Sequence, residues 1–455
     1  PGAASTVDLP DSARVSPYGS QPHIISIPLS YHDAAPILEA LKGPGVPQGW
    51  QGALPFRYHV GPDGVRVHLV SRQDYQRRMI WDVIGKIRGT QNPDEWVIAG
   101  NHRDAWVYGA VDPSSGTAAM LEAVHGVGAL LRTGWRPKRS IVFCSWDAEE
   151  EGLIGSTEWV EQHTKDLEQA VAYFNVDVAV SGPDFSASAV PSLKEFIRDI
   201  TRSVPSPLGE TVYQQWKLSQ VNHNEQHAPD SLSVEAGKIR VGGLGSGSDF
   251  TPFLQHIGVP STDIGSEGPY GVYHSVFDDF AWYTQNADPH FLYLQEMARV
   301  LGLEALRMAD ADALPYDYAT YAHEIGAYIE VASRRARKAG LNSLDFAPAE
   351  AAAARMAAAA QKVYGLEIAP SGDLSSLNLA LRQTEAAFIS PAGLPNRPWY
   401  RHVIYAPGEF TGYSAVVIPG VNEAIDAKDY NLAAQQLSVL TQALDHAASI
   451  LDSAH

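Results

Sequence analysis

The sequence predicts an α/β protein in which a mostly parallel sheet precedes an all-α helical bundle. Short apolar runs at 96–100, 140–144 and 172–176 have the length and composition of buried parallel strands. Segments with apolar residues at helical spacing lie between these runs, and this alternation is typical of a doubly wound sheet. After residue 275, long alanine-rich segments keep the helical period, which indicates a separate helical domain starting near residue 312.

The individual elements are predicted in chain order from apolar spacing and from the residues that bound it. A strand is predicted for a short apolar run, and a helix where apolar residues recur every three or four positions. Ser114 or Ser115 can cap a helix because its hydroxyl can accept a free backbone amide there. Residues 204–243 are predicted to be a polar, turn-rich excursion, and 245–249 to lead into a short helix. The predicted strands are 24–28, 79–89, 96–100, 139–145 and 171–176, with another from 258, and the predicted helices are 31–42, 114–134, 156–165, 192–203, 289–310, 319–339, 347–364, 373–388 and 427–453.

Composition restricts the partners and the kind of metal site. The formal net charge of −19 at pH 7 argues against a nucleic-acid surface and against attraction to anionic membranes. No apolar stretch approaches the roughly 18 residues that a membrane span needs. The single cysteine, Cys144, lies inside an apolar run and is predicted to be a packed thiol. Any metal must therefore be held by histidines and carboxylates.

Histidines and acids follow several of the predicted strands, and the carboxyl ends of parallel strands meet at one edge of a sheet. Zinc accepts histidine nitrogen and carboxylate oxygen, and a pair of ions needs a bridging carboxylate. The potential ligands are His102, Asp112, Glu150, Asp177 and His274, all but the last at or just after a strand end. This pattern alone is compatible with a metal site and also with solvent-exposed acids at the N-terminus of a helix, where the helix dipole favours them.

Two further acids have positions that suit a supporting role in catalysis. Asp104 follows His102 by two residues, so it can orient the imidazole. Glu149 adjoins Glu150 on a strand-to-helix turn, so its carboxylate can face a water molecule instead of a metal. A carboxylate in that position would be the general base of a hydrolase.

Longer motifs then identify a family. From about residue 22 to the C-terminus, the sequence resembles the zinc peptidases that include glutamate carboxypeptidase II and, as a non-catalytic relative, the transferrin receptor. The motifs that carry the resemblance are 102–107 (HRDAWV), 112–116 (DPSSG), 145–150 (SWDAEE), 155–159 (GSTEW), 273–275 (YHS) and 396–407 (NRPWYRHVIYAP). Matches of this length do not arise from composition.

The resemblance implies two zinc ions that share one ligand. Asp112 would bridge the two ions. His102 and Asp177 would complete one site, and Glu150 and His274 would complete the other.

The same resemblance implies the catalytic roles. Glu149 would take a proton from the bridging water and pass it to the leaving amine. Tyr273 matches a tyrosine whose hydroxyl helps to stabilise the tetrahedral oxyanion. Because every ligand and the base are in place, we expect an active hydrolase.

Substrate specificity is where the sequence departs from the glutamate-preferring members. A lysine that binds substrate carboxylates is replaced by Gly412, although the neighbouring Tyr413 is retained, and an arginine patch is replaced by 263–269, which contains no basic residue. Loss of such a clamp leaves a buried charge without a partner, so we expect acidic N-acylated dipeptides to be poor substrates. The substrate-binding residues that the resemblance implies are Tyr413, Ser246, Ser248 and His59.

The resemblance also implies the domain organisation. Residues 1–75 would be the remnant of a protease-associated apical domain and a linker, 76–311 the di-zinc α/β peptidase domain, and 312–455 a transferrin receptor-like helical dimerisation domain. A homodimer through the last domain is expected. Family members have opening strands and most of the apical domain before the segment matching residue 22, so we expect a separate N-terminal chain to supply them.

Calcium and cellular location are the least constrained features. Glu158 and Glu161 match carboxylates that hold a structural calcium ion in the family, but the loop near 61–65 that would supply further ligands is shortened. The sequence is therefore compatible with two interpretations of this pair, as Ca²⁺ ligands or as ordinary exposed acids on a helix. Family habit alone suggests an extracellular or periplasmic location.

The function expected from the sequence is that of a zinc-dependent exopeptidase acting on small peptides, with a carboxypeptidase as the leading interpretation. An aminopeptidase or dipeptidase with the same metal chemistry is the first alternative. A non-catalytic, receptor-like binding protein is the second, and it would be expected to lack a metal ligand or the base.

Overall fold

The chain forms two compact units, and the boundary between them lies between Met79 and Ile80. The computed structural model describes residues 24–454 apart from 62–64, 73, 75, 77, 224–237 and 369–371. Most of the loop at 61–65 and the first part of the domain predicted at 1–75 therefore lie outside the described residues. The domain boundaries near 75 and 312 stay predictions.

The N-terminal unit has little regular structure among its described residues. Helix α1, Tyr31–Ala40, confirms the predicted helix, and the Ser30 hydroxyl caps it by accepting the amide of Asp33 at 3.1 Å. A single 3-10 turn follows at Gln48–Trp50. The predicted strand at 24–28 is wrong, because these largely exposed residues have no pairing partner in the described part of the chain.

A six-stranded sheet forms the centre of the second unit. In spatial order its strands run β1-β3-β2-β4-β6-β5. The four central strands are parallel, whereas the edge strands β1 and β5 run antiparallel to their neighbours. This arrangement confirms the mostly parallel sheet. The strands are β1 Val83–Ile87, β2 Asn92–His102, β3 Arg139–Trp146, β4 Ala170–Asn175, β5 Asp184–Ala189 and β6 Ser261–Glu267.

The central strands are continuous apolar runs because both of their faces are buried in the sheet. All six residues of β4 are buried, as continuous apolar runs require in a sheet covered on both sides. Trp146 on β3 and Tyr173 on β4, the strands on either side of β2, contact Phe253, with ring centroids 6.0 and 4.0 Å away. Cys144 is buried in β3, as predicted. By contrast, β1 has an exposed apolar face that includes Val83.

Helices cover the sheet and connect its strands. Two helices differ from prediction: α6 lies inside the segment expected to be an irregular excursion, and the helix expected over 156–165 is split in two. A short π-helical turn occurs at Pro252–His256, and α7 continues into another at Tyr283–Ala287. The helices are α2 Ser114–Arg132, α3 Ile154–Gln162, α4 Thr164–Leu167, α5 Lys194–Thr201, α6 Val212–His223, α7 Phe280–Trp282 and α8 Leu292–Asp310.

The C-terminal part of the chain is an all-α bundle, as predicted. Helices α10 and α13 pack along each other, and both bury small side chains, such as Ala352 and Ala359 on α10 and Ala447 on α13. No described helix is both long enough and apolar enough to span a lipid bilayer. The helices are α9 Tyr318–Lys338, α10 Ala347–Ile368, α11 Ser375–Thr384, α12 Pro419–Asp426 and α13 Tyr430–Asp452.

A small hairpin links this bundle to the sheet. Strands β7 (Tyr405–Pro407) and β8 (Ala415–Val417) are antiparallel, and the loop between them carries Tyr413. The Tyr413 carbonyl accepts the amide of Ser246 at 2.9 Å. A side chain at Gly247, which has φ +100°, would collide with the Tyr413 ring. The helical region therefore reaches the carboxyl edge of the sheet at this loop.

Candidate metal centre

The carboxyl ends of the parallel strands bring the predicted ligands together. His102 is the last residue of β2, and Asp177 follows β4 by two residues. Glu150 lies in the turn after β3, and His274 lies in the segment after β6. Chain order separates these residues widely, but parallel strands deliver their ends to one edge.

Asp112 lies between the two histidines and directs one oxygen at each. Its Oδ1 is 3.3 Å from Nε2 of His102, and its Oδ2 is 3.0 Å from Nε2 of His274. Nε2 of His102 is also 2.7 Å from Oδ1 of Asp177. Nε2 of His274 is 3.2 Å from Oε2 of Glu150. The five predicted ligands thus form two adjoining sets that share one carboxylate.

Glu149 faces the same centre without joining the two histidines. Its Oε2 is 3.9 Å from Nε2 of His102, and only 8% of its surface is exposed. Its carboxylate is close enough to Asp177 and His102 to form a three-residue metal-binding group with them. The position suits either a ligand or a base, and chemistry rather than distance distinguishes the two roles.

Burial and mutual repulsion disfavour the charged form of these acids. Burial, reinforced by the negative charges of Asp177 and Asp249, raises the pKa of Glu149 to about 10. Burial and the neighbouring Asp112 raise the pKa of Glu150 to about 7. The pKa of Asp112 is also raised, mainly by burial. Divalent cations that replace the protons of a carboxylate-rich, partly buried cluster of this kind stabilise it, because they compensate its negative charge.

The donor set fits zinc. It offers histidine nitrogens and carboxylate oxygens, which zinc accepts, and the carboxylate between the two sets matches the bridging ligand that a pair of ions needs. Nδ1 of His102 lies 3.0 Å from the backbone carbonyl oxygen of Asp104, so a hydrogen on Nδ1 leaves Nε2 free to bind a metal. The residues present could therefore hold two ions.

Asp104 has a second contact that the sequence did not reveal. Its carboxylate accepts the backbone amides of Glu149 and Glu150, at 3.0 and 3.1 Å. The same carboxylate lies 3.6 Å from Nδ1 of His102, whereas the nearer contact to that ring comes from the Asp104 carbonyl. Asp104 therefore positions the acidic turn at least as directly as it orients the histidine.

Asp278 is a positioning residue that sequence reasoning missed. Its two carboxylate oxygens accept the amides of Val111 and Asp112, at 2.9 and 3.2 Å, and the hydroxyl of Tyr270 at 2.7 Å. Asp278 follows His274 by four residues, so it ties the segment of one ligand to the loop of the bridging ligand. Its position after the histidine was the only available signal in the sequence.

Backbone strain accompanies two of these segments. His274 has φ 54° and Ala148, just before Glu149, has φ 55°, in the left-handed region that residues with a side chain seldom adopt. Such conformations cost about 1–3 kcal/mol and persist only where surrounding contacts impose them. The contacts of Asp104 and Asp278 supply that constraint.

A cavity of about 950 Å³ opens onto the metal-ligand residues. Tyr273 and Tyr413 line it, and their side chains are 48% and 68% exposed, so both phenols are available to a substrate. The ring of Tyr273 stacks on that of His274 at 3.7 Å between centroids. Ser246 also lines the cavity, next to the Tyr413 loop.

Two predicted substrate contacts have other surroundings. Ser248 lines the cavity, but its hydroxyl donates to Oδ2 of Asp177 at 2.6 Å and accepts from Asn175 at 2.9 Å, so it holds a metal ligand in place. His59 belongs to the N-terminal unit, where its Nδ1 lies 2.7 Å from the carbonyl oxygen of Gly43. A substrate contact by His59 stays a prediction.

The predicted calcium pair lies on α3 and belongs to neither group of candidate metal ligands found in the described residues. Glu161 accepts a hydrogen bond from the Trp399 indole at 2.8 Å. This contact gives Glu161 a structural role that links α3 to the C-terminal region. Calcium binding by Glu158 and Glu161 stays a prediction.

Comparison with known proteins identifies two regions of the chain. Residues 82–294 match the model of Peptidase family M28, and residues 344–452 match the Transferrin receptor-like dimerisation domain. The first match contains all five predicted metal ligands and Glu149. The second covers α10 to α13.

Among curated relatives, the probable glutamate carboxypeptidase LAMP1 of Arabidopsis thaliana is 40% identical over 445 residues, covering 95% of this chain and 62% of that protein. Aminopeptidase NAALADL1 of Rattus norvegicus is 33% identical over 483 residues, covering 97% of this chain and 63% of that protein. The chain thus spans less than two thirds of the length of these relatives. The match to the solved structure of BSAP, a zinc aminopeptidase from Bacillus subtilis, covers 51% of this chain and 50% of the BSAP chain, at 18% identity and a TM-score of 0.34.

Proposed function

The chain belongs to the M28 peptidases that carry a transferrin receptor-like dimerisation domain, the glutamate carboxypeptidase II-like family, and we propose that it is a di-zinc exopeptidase acting on small peptides. The observation that carries this proposal is Asp112, which directs one carboxylate oxygen at each of two histidines that have their own acidic partners. A shared carboxylate is what a pair of hydrolytic metal ions requires.

The chain's own residues supply the remaining chemistry. Glu149 accepts the proton of the attacking water and returns it to the leaving amine, a role that suits a buried carboxylate facing the centre, 3.9 Å from Nε2 of His102. The phenol of Tyr273 donates to the oxyanion that develops on the scissile carbonyl. Zinc ions, when bound, would polarise that carbonyl and lower the pKa of water.

A carboxypeptidase remains the leading interpretation of the direction of attack. Relatives named as probable glutamate carboxypeptidases support it, with identities up to 40%. The relative named aminopeptidase NAALADL1 supports the alternative, at 33% identity. In either case, the cavity contains no lysine or arginine among its described lining residues, which supports the expectation that acidic N-acylated dipeptides are poor substrates.

The proposal is tested with a panel of dipeptides and tripeptides in free, N-acylated and C-amidated forms. Hydrolysis is measured with the purified protein, after EDTA treatment, and after zinc is restored. Hydrolysis that EDTA abolishes and zinc restores is expected. Cleavage of N-acylated but not C-amidated peptides supports the carboxypeptidase, and the reverse supports the aminopeptidase. No hydrolysis of any peptide by the zinc-loaded protein contradicts the proposal.

A receptor-like binding protein is disfavoured by the completeness of the site. The described residues include both histidines, the three acidic ligands and the base, grouped at one edge of the sheet. A protein that only binds a partner has no need of this arrangement.

The substrate class and the oligomeric state follow from the same proposal. The dimerisation domain supports a homodimer, and the peptidase domain implies peptide substrates. Extracellular or periplasmic placement and a separate N-terminal chain stay predictions, without support from the structure or the comparisons.

A further inference from the structure

One wall of the cavity is built by the two antiparallel strands β5 and β6. Side chains at alternate positions of a strand face the same side. Ser186 pairs with Gly265, and Ser188 pairs with Asp263, so these positions present one face. The residues of this face that line the cavity are Ser186, Ser188, Asp263, Gly265 and Glu267.

The acids of this wall differ from those at the metal centre because no positively charged side chain of the described residues faces them, and burial raises the pKa of Asp263 to about 7. Two divalent cations would carry a charge of +4, which matches the four carboxylates at the centre, Asp112, Glu149, Glu150 and Asp177. Asp263 and Glu267 lie outside both ligand sets. Among the described residues, neither has a lysine, arginine or histidine within salt-bridge distance, and no lysine or arginine lines the cavity.

Each of these two carboxylates is held by a neutral donor through one oxygen. The buried amide of Asn175 donates to Oδ1 of Asp263 at 3.0 Å, and the hydroxyl of Ser186 donates to Oε1 of Glu267 at 2.5 Å. No hydrogen bond from the described residues reaches the second oxygen of either group. The acids are therefore oriented by the wall, and one oxygen of each remains available to a ligand in the cavity.

We propose that Asp263 and Glu267 each bind a protonated amine of the peptide substrate. The proposal rests on the exopeptidase function, because the wall belongs to the cavity that opens onto the metal centre. An ammonium group offers three hydrogens to carboxylate oxygens, and these charge-assisted hydrogen bonds are stronger than neutral ones. A substrate carboxylate would instead meet uncompensated negative charge and pay its desolvation cost without a partner.

The two acids are spaced along the cavity. They are four residues apart on β6, and a strand advances about 3.3 Å per residue, so their backbones are about 13 Å apart. Asp263 lies level with Asn175 of β4, and Glu267 lies at the exposed end of β6. The amine can be the N-terminus of the peptide or a lysine side chain. Single substitutions will show which of the two acids binds each kind of amine.

Binding is measured by calorimetry with the zinc-loaded Glu149→Gln variant, so that peptides are not consumed. The probes are N-acetyl-lysyl-alanine, N-acetyl-norleucyl-alanine and N-acetyl-glutamyl-alanine for the side chain, and alanyl-alanine against N-acetyl-alanyl-alanine for the terminus. At least one amine-bearing probe is expected to bind about tenfold or more tightly than its neutral counterpart, because a hydrogen bond to a charged group contributes about 1.5–3 kcal/mol. The glutamyl peptide is expected to bind most weakly.

Substitutions then assign the preference to the wall. Asp263→Asn or Glu267→Gln should remove the preference for the amine that the substituted acid serves, while leaving the affinity for the neutral probe within about twofold. Asp184→Asn is the matched control, since Asp184 faces Glu267 across the strand pair but does not line the cavity. This variant should keep the full preference.

The outcomes separate this proposal from the proposed function. Equal affinity for lysyl, norleucyl and glutamyl peptides, with no effect of a free terminus, overturns the amine site even if the enzyme hydrolyses peptides. The proposal would also be overturned if the wild-type protein bound a third metal ion and Asp263→Asn lost it, since the wall would then be a metal site in the wild type. Selective binding of amines without any hydrolysis would sustain the site and contradict the exopeptidase.

Discussion

Asp112 illustrates how one side chain can organise two sites. It is 6% exposed, and each of its oxygens faces a different histidine across the cleft. A buried carboxylate of this kind is costly unless its charge is neutralised, and the proposed ions would do so. The neighbouring Glu149 has the same cost, but its carboxylate lies near His102 alone, 3.9 Å away, and does not face both histidines. This difference is why we assign binding to Asp112 and proton transfer to Glu149.

Replacing Glu149 should separate proton transfer from metal binding. Glu149→Gln keeps the size of the side chain but cannot accept a proton, so we expect kcat to fall by about 10²–10⁴-fold. Zinc content, measured by mass spectrometry, should remain as in the wild type. Glu151→Gln is the control, because Glu151 is exposed and does not line the cavity. A variant that keeps its kcat, or that loses zinc, would contradict the assignment.

Zinc should stabilise the protein more strongly at pH 8 than at pH 5.5. In the metal-free protein, burial raises the pKa of Glu150 from its ordinary 4.5 to about 7. The folded state therefore holds this proton more tightly than the unfolded state, and stability falls as the pH rises from about 4.5 through 7. Glu149 acts in the same direction and to higher pH, because its pKa is raised to about 10. Bound cations would remove this penalty.

The measurement is the zinc-induced rise in Tm at both pH values, with calcium at the same concentration as an ion control. A larger rise at pH 5.5 than at pH 8 would reverse the predicted linkage. In calorimetry at pH 7, zinc binding should also release protons to the buffer.

At the scale of elements, the segment 274–278 couples two ligands. Asp278 accepts the amides of Val111 and Asp112, so it fixes the loop before α2 from the segment that carries His274. Asp278→Ala should weaken zinc affinity about 10–100-fold, the usual effect of losing a residue that orients a metal ligand. Asp278→Asn keeps one acceptor oxygen and should be intermediate.

Cobalt substitution provides the readout, since the absorption spectrum of bound cobalt reports ligand geometry. Both variants should shift this spectrum, whereas Asp184→Asn, on β5 and outside both ligand sets, should not. Wild-type spectra and affinity in Asp278→Ala would show that Asp278 only supports the fold.

Sequence reasoning located the parallel strands and the ligands because both follow from local patterns. Continuous apolar runs mark strands that are buried on both faces, and acids directly after such runs must lie at the carboxyl edge. The contacts of Asp278 were not predictable in this way, because its partners lie 166 and 167 residues earlier in the chain.

The elements that were missed have weak local signals. Helix α6 lacks an apolar stripe, and tertiary contacts such as the packing of Trp216 against Phe185, at 5.0 Å between ring centroids, hold it in place. Strand β5 has the sequence DFSASA, whose serines read as a loop although they face the cavity. Strands β7 and β8 have three residues each, too few to produce a periodicity.

The contact between the hairpin loop and the sheet can be tested at Gly247. Gly247→Ala places a Cβ 2.7 Å from the Tyr413 ring at a residue with φ +100°. We expect KM to rise several-fold because Tyr413 is displaced, with zinc content unchanged. Gly209→Ala is the control, since Gly209 also has positive φ, +87°, but has no neighbour within 4 Å of the added Cβ. That variant should lose about 1 kcal/mol of stability and keep its KM. Unchanged KM in Gly247→Ala would remove Tyr413 from the substrate site.

For the whole molecule, the net charge of −19 should influence which substrates arrive at the cavity. A field of this sign raises the local concentration of cationic peptides and lowers that of anionic ones. The effect extends over about 8 Å at physiological ionic strength, and salt weakens it. The overall charge and the acidic wall therefore favour the same class of peptide, one acting on the rate of encounter and the other on binding.

The assembly of the molecule provides the last test. The region that matches the dimerisation domain comprises α10 to α13, whose mutual packing already forms a helical core within one chain. If this domain also pairs with a second copy, light scattering coupled to size exclusion should give about 98.6 kDa, twice the 49.3 kDa of the chain. A stable homodimer buries a largely apolar interface, so the mass should persist in 0.5 M salt and at micromolar concentration. Glu149→Gln should give the same mass, because its site lies in the sheet domain. A mass near 49.3 kDa under all of these conditions would show that the domain does not dimerise in this protein.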